Sequence, residues 1–158
     1  MPDDADILIS LHARHVRTLL NGEKSVELRR RAIKIPAASR VWIYGTRPLA
    51  SIQAVGLVGR IDRLPPDEIW LSHGSNTGVT EQEFRRYFEG IKVGSAIVFD
   101  EVIGLTDGPT LAHLRAQLGS FQPPQFFRRL DRASPELALL RLAAPDVRRS
   151  NGSRAHSA

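Results

Sequence analysis

The apolar run over residues 52–61 carries glycines at 56 and 59, and this feature constrains the fold more than any other. A strand interrupted by two positions without side chains reads as one that bulges or curves sharply. Shorter strand-like runs surround it: residues 7–11, the alternating segment 24–30, Val41-Trp42-Ile43-Tyr44 and residues 96–103. Helical patterns are inserted between them. Val16, Leu19 and Leu20 fall at helical spacing and stop at Asn21-Gly22, and Pro65-Pro66 opens a short helix over 68–71. Thr80 and Glu83 form a capping box ahead of Phe84, Tyr87 and Phe88, and Pro109 precedes Leu111, Leu114 and Leu118. Ser134-Pro135-Glu136 opens a last helix over 137–142, for which a strand is the alternative. With no βαβ regularity, this order predicts an α+β fold: a mixed, mostly antiparallel sheet curled into a barrel, with helices inserted around it.

The 158 residues suit one core, and the 42% hydrophobic content is ordinary for a globular chain. One domain is expected over 1–145, followed by a disordered basic tail over 146–158 in which Ser, Arg and Asn replace apolar residues. Phe84, Tyr87, Phe88, Phe126, Phe127, Trp42 and Trp70 are expected to anchor the core. No apolar run is long enough to cross a bilayer, and Asp3, Asp4 and Asp6 have the wrong sign for a secretory signal, so a cytoplasmic location is expected. The absence of cysteine excludes disulfides, thiolate metal sites and cysteine nucleophiles.

The net charge of +5 is unevenly placed: residues 10–50 carry +7, residues 1–9 carry −3, residues 51–145 are close to balanced and the tail adds +2. A basic stretch of this kind suits a polyanion and equally suits a solvated face. Within it, Gly22-Glu23-Lys24-Ser25-Val26-Glu27-Leu28-Arg29 places a helix stop directly before a strand that alternates Val26 and Leu28 against Ser25, Glu27 and Arg29. Two cations and a carboxylate on a rigid strand can grip a phosphate and accept from a base or ribose hydroxyl; exposed pairing on a sheet face is the bland alternative. Arg30, Arg31, Lys34 and Arg40, flanking a loop, read as nonspecific phosphate contacts.

The same segment resembles the ASCH domain family of the PUA-like superfamily. The resemblance rests on the Gly22 to Arg29 motif after a strand containing Ser10, on Tyr44-Gly45-Thr46-Arg47-Pro48 after the next strand, and on Pro123-Pro124-Gln125-Phe126. It implies a barrel with a cleft beside the first helix and a role in binding RNA or another nucleic acid, regulatory in transcription or translation. Carried over residue by residue, Lys24, Glu27 and Arg29 would line the cleft, with Ser10, Tyr44 and Arg47 near its walls and Arg30 and Arg31 beyond it. Tyr44 either stacks on a base or packs in the core.

Some proteins of this kind are hydrolases, either amidohydrolases acting on acetylated cytidine or ribonucleases. The amidohydrolase pattern is similar at Lys24 but wants a threonine three residues later, where this chain has Glu27. A ribonuclease would use Lys24 and Glu27 as base and acid and Arg29 as phosphate clamp, with no metal or cofactor. Modified nucleosides therefore stand beside RNA and other single-stranded nucleic acid as candidate ligands, and an adaptor surface for an acidic protein is the third class. His12 and His15 share a helix face, but two ligands do not make a metal site; these two, His73 and His113 are expected to face solvent or cap helices, with the cleft mouth as the alternative for His12. Reversing the charges of Lys24 and Arg29 is expected to abolish binding and leave the thermal melt nearly unchanged.

Overall fold

A computed structural model describes residues 4–144. The predicted tail over 146–158 lies outside the described residues. Six strands and five helices follow in the order β1 (Asp6–Leu11), α1 (Ala13–Leu20), β2 (Val26–Arg29), β3 (Arg40–Gly45), β4 (Ser51–Leu64), α2 (Pro66–His73), α3 (Glu81–Tyr87), β5 (Gly94–Gly104), α4 (Leu111–Leu118), β6 (Phe127–Leu130) and α5 (Pro135–Ala143). A short 3-10 turn, Gly74–Asn76, links α2 to the segment before α3. No helix among the described residues is long and apolar enough to cross a membrane.

The strands form one sheet in the order β2-β5-β4-β3-β1-β6. Only β1 and β3 run parallel; the other four pairings are antiparallel. The expected mixed α+β sheet is present, curled as a half-barrel in which the edge strands β2 and β6 are not paired with each other. The glycines of β4 take part in the curling. The β4–β5 register shifts between Leu57 and Val58 and again between Val58 and Arg60, which leaves Gly59 without a ladder partner. A Cβ at Gly56 would lie 2.6 Å from the Phe99 ring, and one at Gly59 would lie 2.3 Å from the Asp100 carboxylate. Both positions therefore bring β5 side chains closer to the backbone than any larger residue allows.

Alternation along the strands distributes the core over two faces. Ile7, Ile9, Val41 and Ile43 pack with Val16 and Leu19 of α1, whereas Leu8, Trp42 and Tyr44 pack with Leu114 of α4 and Leu137 and Leu140 of α5. A third cluster joins Val26 and Leu28 of β2 to Ile69, Phe84 and Phe88, with the Trp70 ring tilted 51° against Phe84 at 5.0 Å between ring centroids. The capping box of α3 forms as expected: Glu83 N–H donates to Thr80 Oγ1 and Thr80 N–H donates to the Glu83 carboxylate. α5 is a helix, capped by Ser134.

Three expectations are corrected. The segment after Pro123-Pro124 forms the edge strand β6, and Phe126 and Phe127 are 59% and 36% exposed instead of anchoring the core. Arg40 is no phosphate contact: its guanidinium binds Asp6 and Asp4, and Arg141 and the Trp42 indole N–H also reach Asp6. His73 is buried, with Nε2 2.6 Å from the Asp62 carboxylate, so it neither faces solvent nor caps its helix.

Candidate nucleic-acid interface

A cavity of about 690 Å³ opens between the unpaired edges of the sheet. Its walls come from the end of β1, from α1, from β2, from α3 and from residues 123–126 leading into β6. Ser10 joins the last wall to the sheet, since its Oγ donates to the Pro124 carbonyl at 2.7 Å.

Lys24 and Glu27 form the floor, at 2% and 6% exposure. Lys24 follows the αL residue Gly22 and is fixed at both backbone and side chain. Its N–H donates to the Thr18 carbonyl at the end of α1, and its ammonium donates to the Thr77 carbonyl at 3.0 Å. Gly78 packs against the Lys24 side chain: a Cβ there would lie 3.2 Å from the Lys24 Cβ, a tight contact, and its positive φ favours glycine. The polar connection over 72–78, opaque in the sequence, thus holds the lysine. Glu27 Oε1 accepts from the Leu28 N–H at 2.9 Å and lies 3.8 Å from the Lys24 ammonium. Its other oxygen, Oε2, is buried without a protein partner, as are Nε and Nη2 of Arg29. An unpaired buried polar group costs about 1–3 kcal/mol, and more when charged, so these three atoms have hydrogen-bonding capacity to offer a ligand or water in the cavity.

The mouth is bounded by charge and aromatic groups. Arg14 of α1 grips Glu83 of α3 through two hydrogen bonds, the second at 2.9 Å, and this contact with the Thr80 N–H lowers the Glu83 pKa to about 2. Tyr87 donates its hydroxyl to the Leu28 carbonyl at 3.1 Å, and burial raises its pKa, keeping the phenol neutral. His15 is half-buried with Nδ1 unpaired; burial, and then the Lys24 ammonium, push its pKa below the ordinary value, so the ring is neutral at pH 7.

Of the residues singled out in the sequence, Ser10, Lys24, Glu27 and Arg29 are brought together in this cavity. Tyr44 is not: it is 2% exposed, on the face covered by α4 and α5, with its ring 6.4 Å from Phe121, so it cannot stack on a base. Arg47 is exposed in the turn after β3, where Thr46 instead reaches the cavity, and Arg30 and Arg31 are exposed outside the lining. His12 is exposed at the N-cap position of α1 and borders the cavity, as expected of it, whereas His15 is half-buried in the lining instead of facing solvent or capping. Glu83 was legible only as a cap, and Tyr87 was read as a core anchor, whereas it is 39% exposed at the cavity. Among the described residues no group of three or more His, Asp or Glu is placed to hold a metal ion.

A half-barrel of mixed strands with a polar cleft between its open edges defines the chain as a ligand-binding α+β domain. No family model matches the chain. It is 34% identical over 128 residues to the ASCH domain-containing ribonuclease of Zymomonas mobilis, a match covering 79% of this chain and 84% of that protein. The crystal structure of ASCH from the same organism superposes with a TM-score of 0.79 at 29% identity, over 87% of this chain and 94% of that one. A mutant of the same protein gives 0.76 at 30% identity, over 84% and 92%. The chain belongs to the ASCH domain family.

Proposed function

We propose that the cleft binds single-stranded RNA and cleaves it. The observation that carries this reading is the presence, in one cavity, of an unpaired carboxylate oxygen on Glu27 and unpaired guanidinium donors on Arg29. A nucleotide complements both: phosphate oxygens suit the planar fork of Arg29, and a hydroxyl or exocyclic amine suits Glu27. RNA is favoured over DNA because the 2′-hydroxyl supplies that donor next to the phosphate. The similarity to a protein named as a ribonuclease supports the same choice. The reading places the protein with its RNA in the cytoplasm.

The geometry favours reversing the acid and base roles expected for Lys24 and Glu27. Glu27 Oε2 is the group with a free lone pair, and the Lys24 ammonium already donates to Thr77. In this scheme Glu27 takes the proton of the 2′-hydroxyl and O2′ attacks the phosphorus held by Arg29. The P–O5′ bond then breaks, and the 5′-oxygen takes a proton from Lys24. The products are a 2′,3′-cyclic phosphate and a 5′-hydroxyl, and solvent exchange restores both side chains.

The test is fluorescence anisotropy with single-stranded RNA, single-stranded DNA and duplex DNA at two salt concentrations, with the RNA recovered and sized. Salt-sensitive preference for RNA with cyclic-phosphate products is expected, and Glu27→Gln is expected to bind without cutting. Equal binding to the DNA strand refutes RNA selectivity, and cleavage persisting in the variant rejects Glu27 as the base. Failure to bind any strand redirects the search to a modified nucleoside or an acidic protein.

A further inference from the structure

At the rim of the cavity, Phe126 of the lining and Arg31 just outside it form a second feature that the floor does not require. Phe126 ends the wall over residues 123–126 yet is 59% exposed. A single exposed aromatic residue is ordinary on a protein surface. Two further observations distinguish this one. The Arg31 guanidinium lies 4.7 Å from its ring centroid, within the range of a cation–π contact, which fixes the ring from one face. The surroundings are also cationic: Arg30 and Lys34 are exposed beside Arg31, and Arg129 of β6 donates to the Lys34 carbonyl at 2.6 Å, tying this strip to the edge strand. Phe126 lines the same cavity as Glu27 and Arg29, so its ring borders the space a nucleotide held there would occupy.

We propose that Phe126, backed by Arg31, is a stacking subsite for the base flanking the nucleotide held by Glu27 and Arg29. The ligand is then an RNA strand of at least two nucleotides, and a lone nucleoside fills only the inner half of the site. The aromatic face accepts any base, because every base has a π-face, and the cations beside it meet the backbone phosphate. The subsite therefore supplies affinity and strand length selection without sequence readout. It rests on the RNA reading above.

The experiment compares binding of a nucleoside 3′-monophosphate and a pentanucleotide RNA to wild type, Phe126→Ala, Phe126→Tyr and Arg31→Ala, using Glu27→Gln as the common background to prevent cleavage. Phe126→Ala is expected to weaken the pentanucleotide by between about fivefold and about a hundredfold, the range for losing one base–aromatic stack. The monophosphate is expected to bind as before, Phe126→Tyr to restore the loss, and the melt to stay unchanged because the ring is exposed. Arg31→Ala is expected also to reduce the salt dependence of pentanucleotide binding by about one phosphate contact. Unchanged pentanucleotide affinity in Phe126→Ala, or equal loss for both ligands, overturns the subsite and leaves the inner site standing. Binding of neither ligand by the parent overturns both readings. Displacement of RNA by poly-glutamate as readily as by RNA, with no effect of Phe126→Ala, assigns the strip to an acidic protein and also overturns the subsite.

Discussion

Replacing Lys24 with Met removes one charge from a buried pair while keeping the length of the side chain. Lys24 and Glu27 lie 3.8 Å apart at 2% and 6% exposure, and at an effective dielectric constant of 20 their attraction is about 4 kcal/mol. The substitution also strips the Thr77 carbonyl of its donor and leaves the Glu27 carboxylate without its cation. Truncating one partner of a buried pair costs about 3–5 kcal/mol, and the Leu28 N–H that still donates to Glu27 sets the expectation near the lower end, about 3 kcal/mol. This is a large share of the roughly 5–15 kcal/mol that holds a domain folded. Urea unfolding followed by far-ultraviolet circular dichroism at neutral pH is expected to show the midpoint falling with the slope unchanged. Lys24→Met/Glu27→Gln is expected to recover much of the loss, since no uncompensated carboxylate remains. A loss below about 1 kcal/mol, or a double variant weaker than the sum of the singles, refutes the pairing. The expectation that reversing Lys24 leaves the melt unchanged is withdrawn on the same ground: the lysine is structural as well as polar.

Asp6 is subject to burial, which alone would raise its pKa, but hydrogen bonds from Arg40 and Trp42 outweigh this and hold it below the ordinary 3.8. Its contribution is therefore complete above the unfolded value and lost as pH falls through the folded one. The stability gap between wild type and Asp6→Asn, measured by urea titration, is expected to be constant from pH 7 to 5 and to shrink below about pH 4; a gap that widens with acid refutes the sign. Gly56→Ala and Gly59→Ala are expected to differ, because the first drives a Cβ into the buried Phe99 ring and the second into the exposed Asp100 carboxylate, which can swing away. A loss of about 1–3 kcal/mol is expected at Gly56, by analogy with overpacked cores, and a smaller one at Gly59. Equal losses in thermal melts would show that the backbone, not the β5 side chains, sets the requirement.

Sheet, helices and glycine bulges were legible because each is written over a few neighbouring residues: the capping box of α3 spans four positions, and the apolar run of β3 needs four. Contacts across long stretches of chain were not. Lys24 meets Thr77 across 53 positions, and Arg40 meets Asp6 across 34, so both lysine and arginine looked like free cations. Tyr44 misled for another reason. Alternation places it with Trp42, but both faces of β3 are covered, one by α1 and the other by α4 and α5, and periodicity carries no sign for which face holds the ligand. β6 was hidden because its four residues, Phe127-Arg128-Arg129-Leu130, put one apolar residue and one arginine on each face, and hence show no apolar alternation.

The site exists because the barrel does not close. An unpaired edge strand exposes backbone groups that invite pairing with another chain, and proteins cover such edges. At β2 the cover is made of side chains from the cleft itself: the Leu28 N–H donates to Glu27 Oε1, and the Leu28 carbonyl accepts from the Tyr87 hydroxyl. The first of these bonds orients the carboxylate, with one oxygen committed to its own strand and the other left without a protein partner in the cavity. The second ties α3, and with it the Glu83–Arg14 contact at the mouth, to the same residue. Tyr87→Phe separates the two effects. Tyr87 is 39% exposed, so water can reach the freed carbonyl, and the loss of stability is expected to stay near the 0.5–1.5 kcal/mol of one ordinary hydrogen bond. RNA affinity is expected to fall, because the edge and α3 then move independently, while the Glu27→Gln/Tyr87→Phe double variant is expected to bind no better than Glu27→Gln alone. If Tyr87→Phe leaves affinity and cleavage intact, the hydroxyl merely satisfies an edge carbonyl, and the cleft owes its shape to packing in the Phe84 and Phe88 cluster alone.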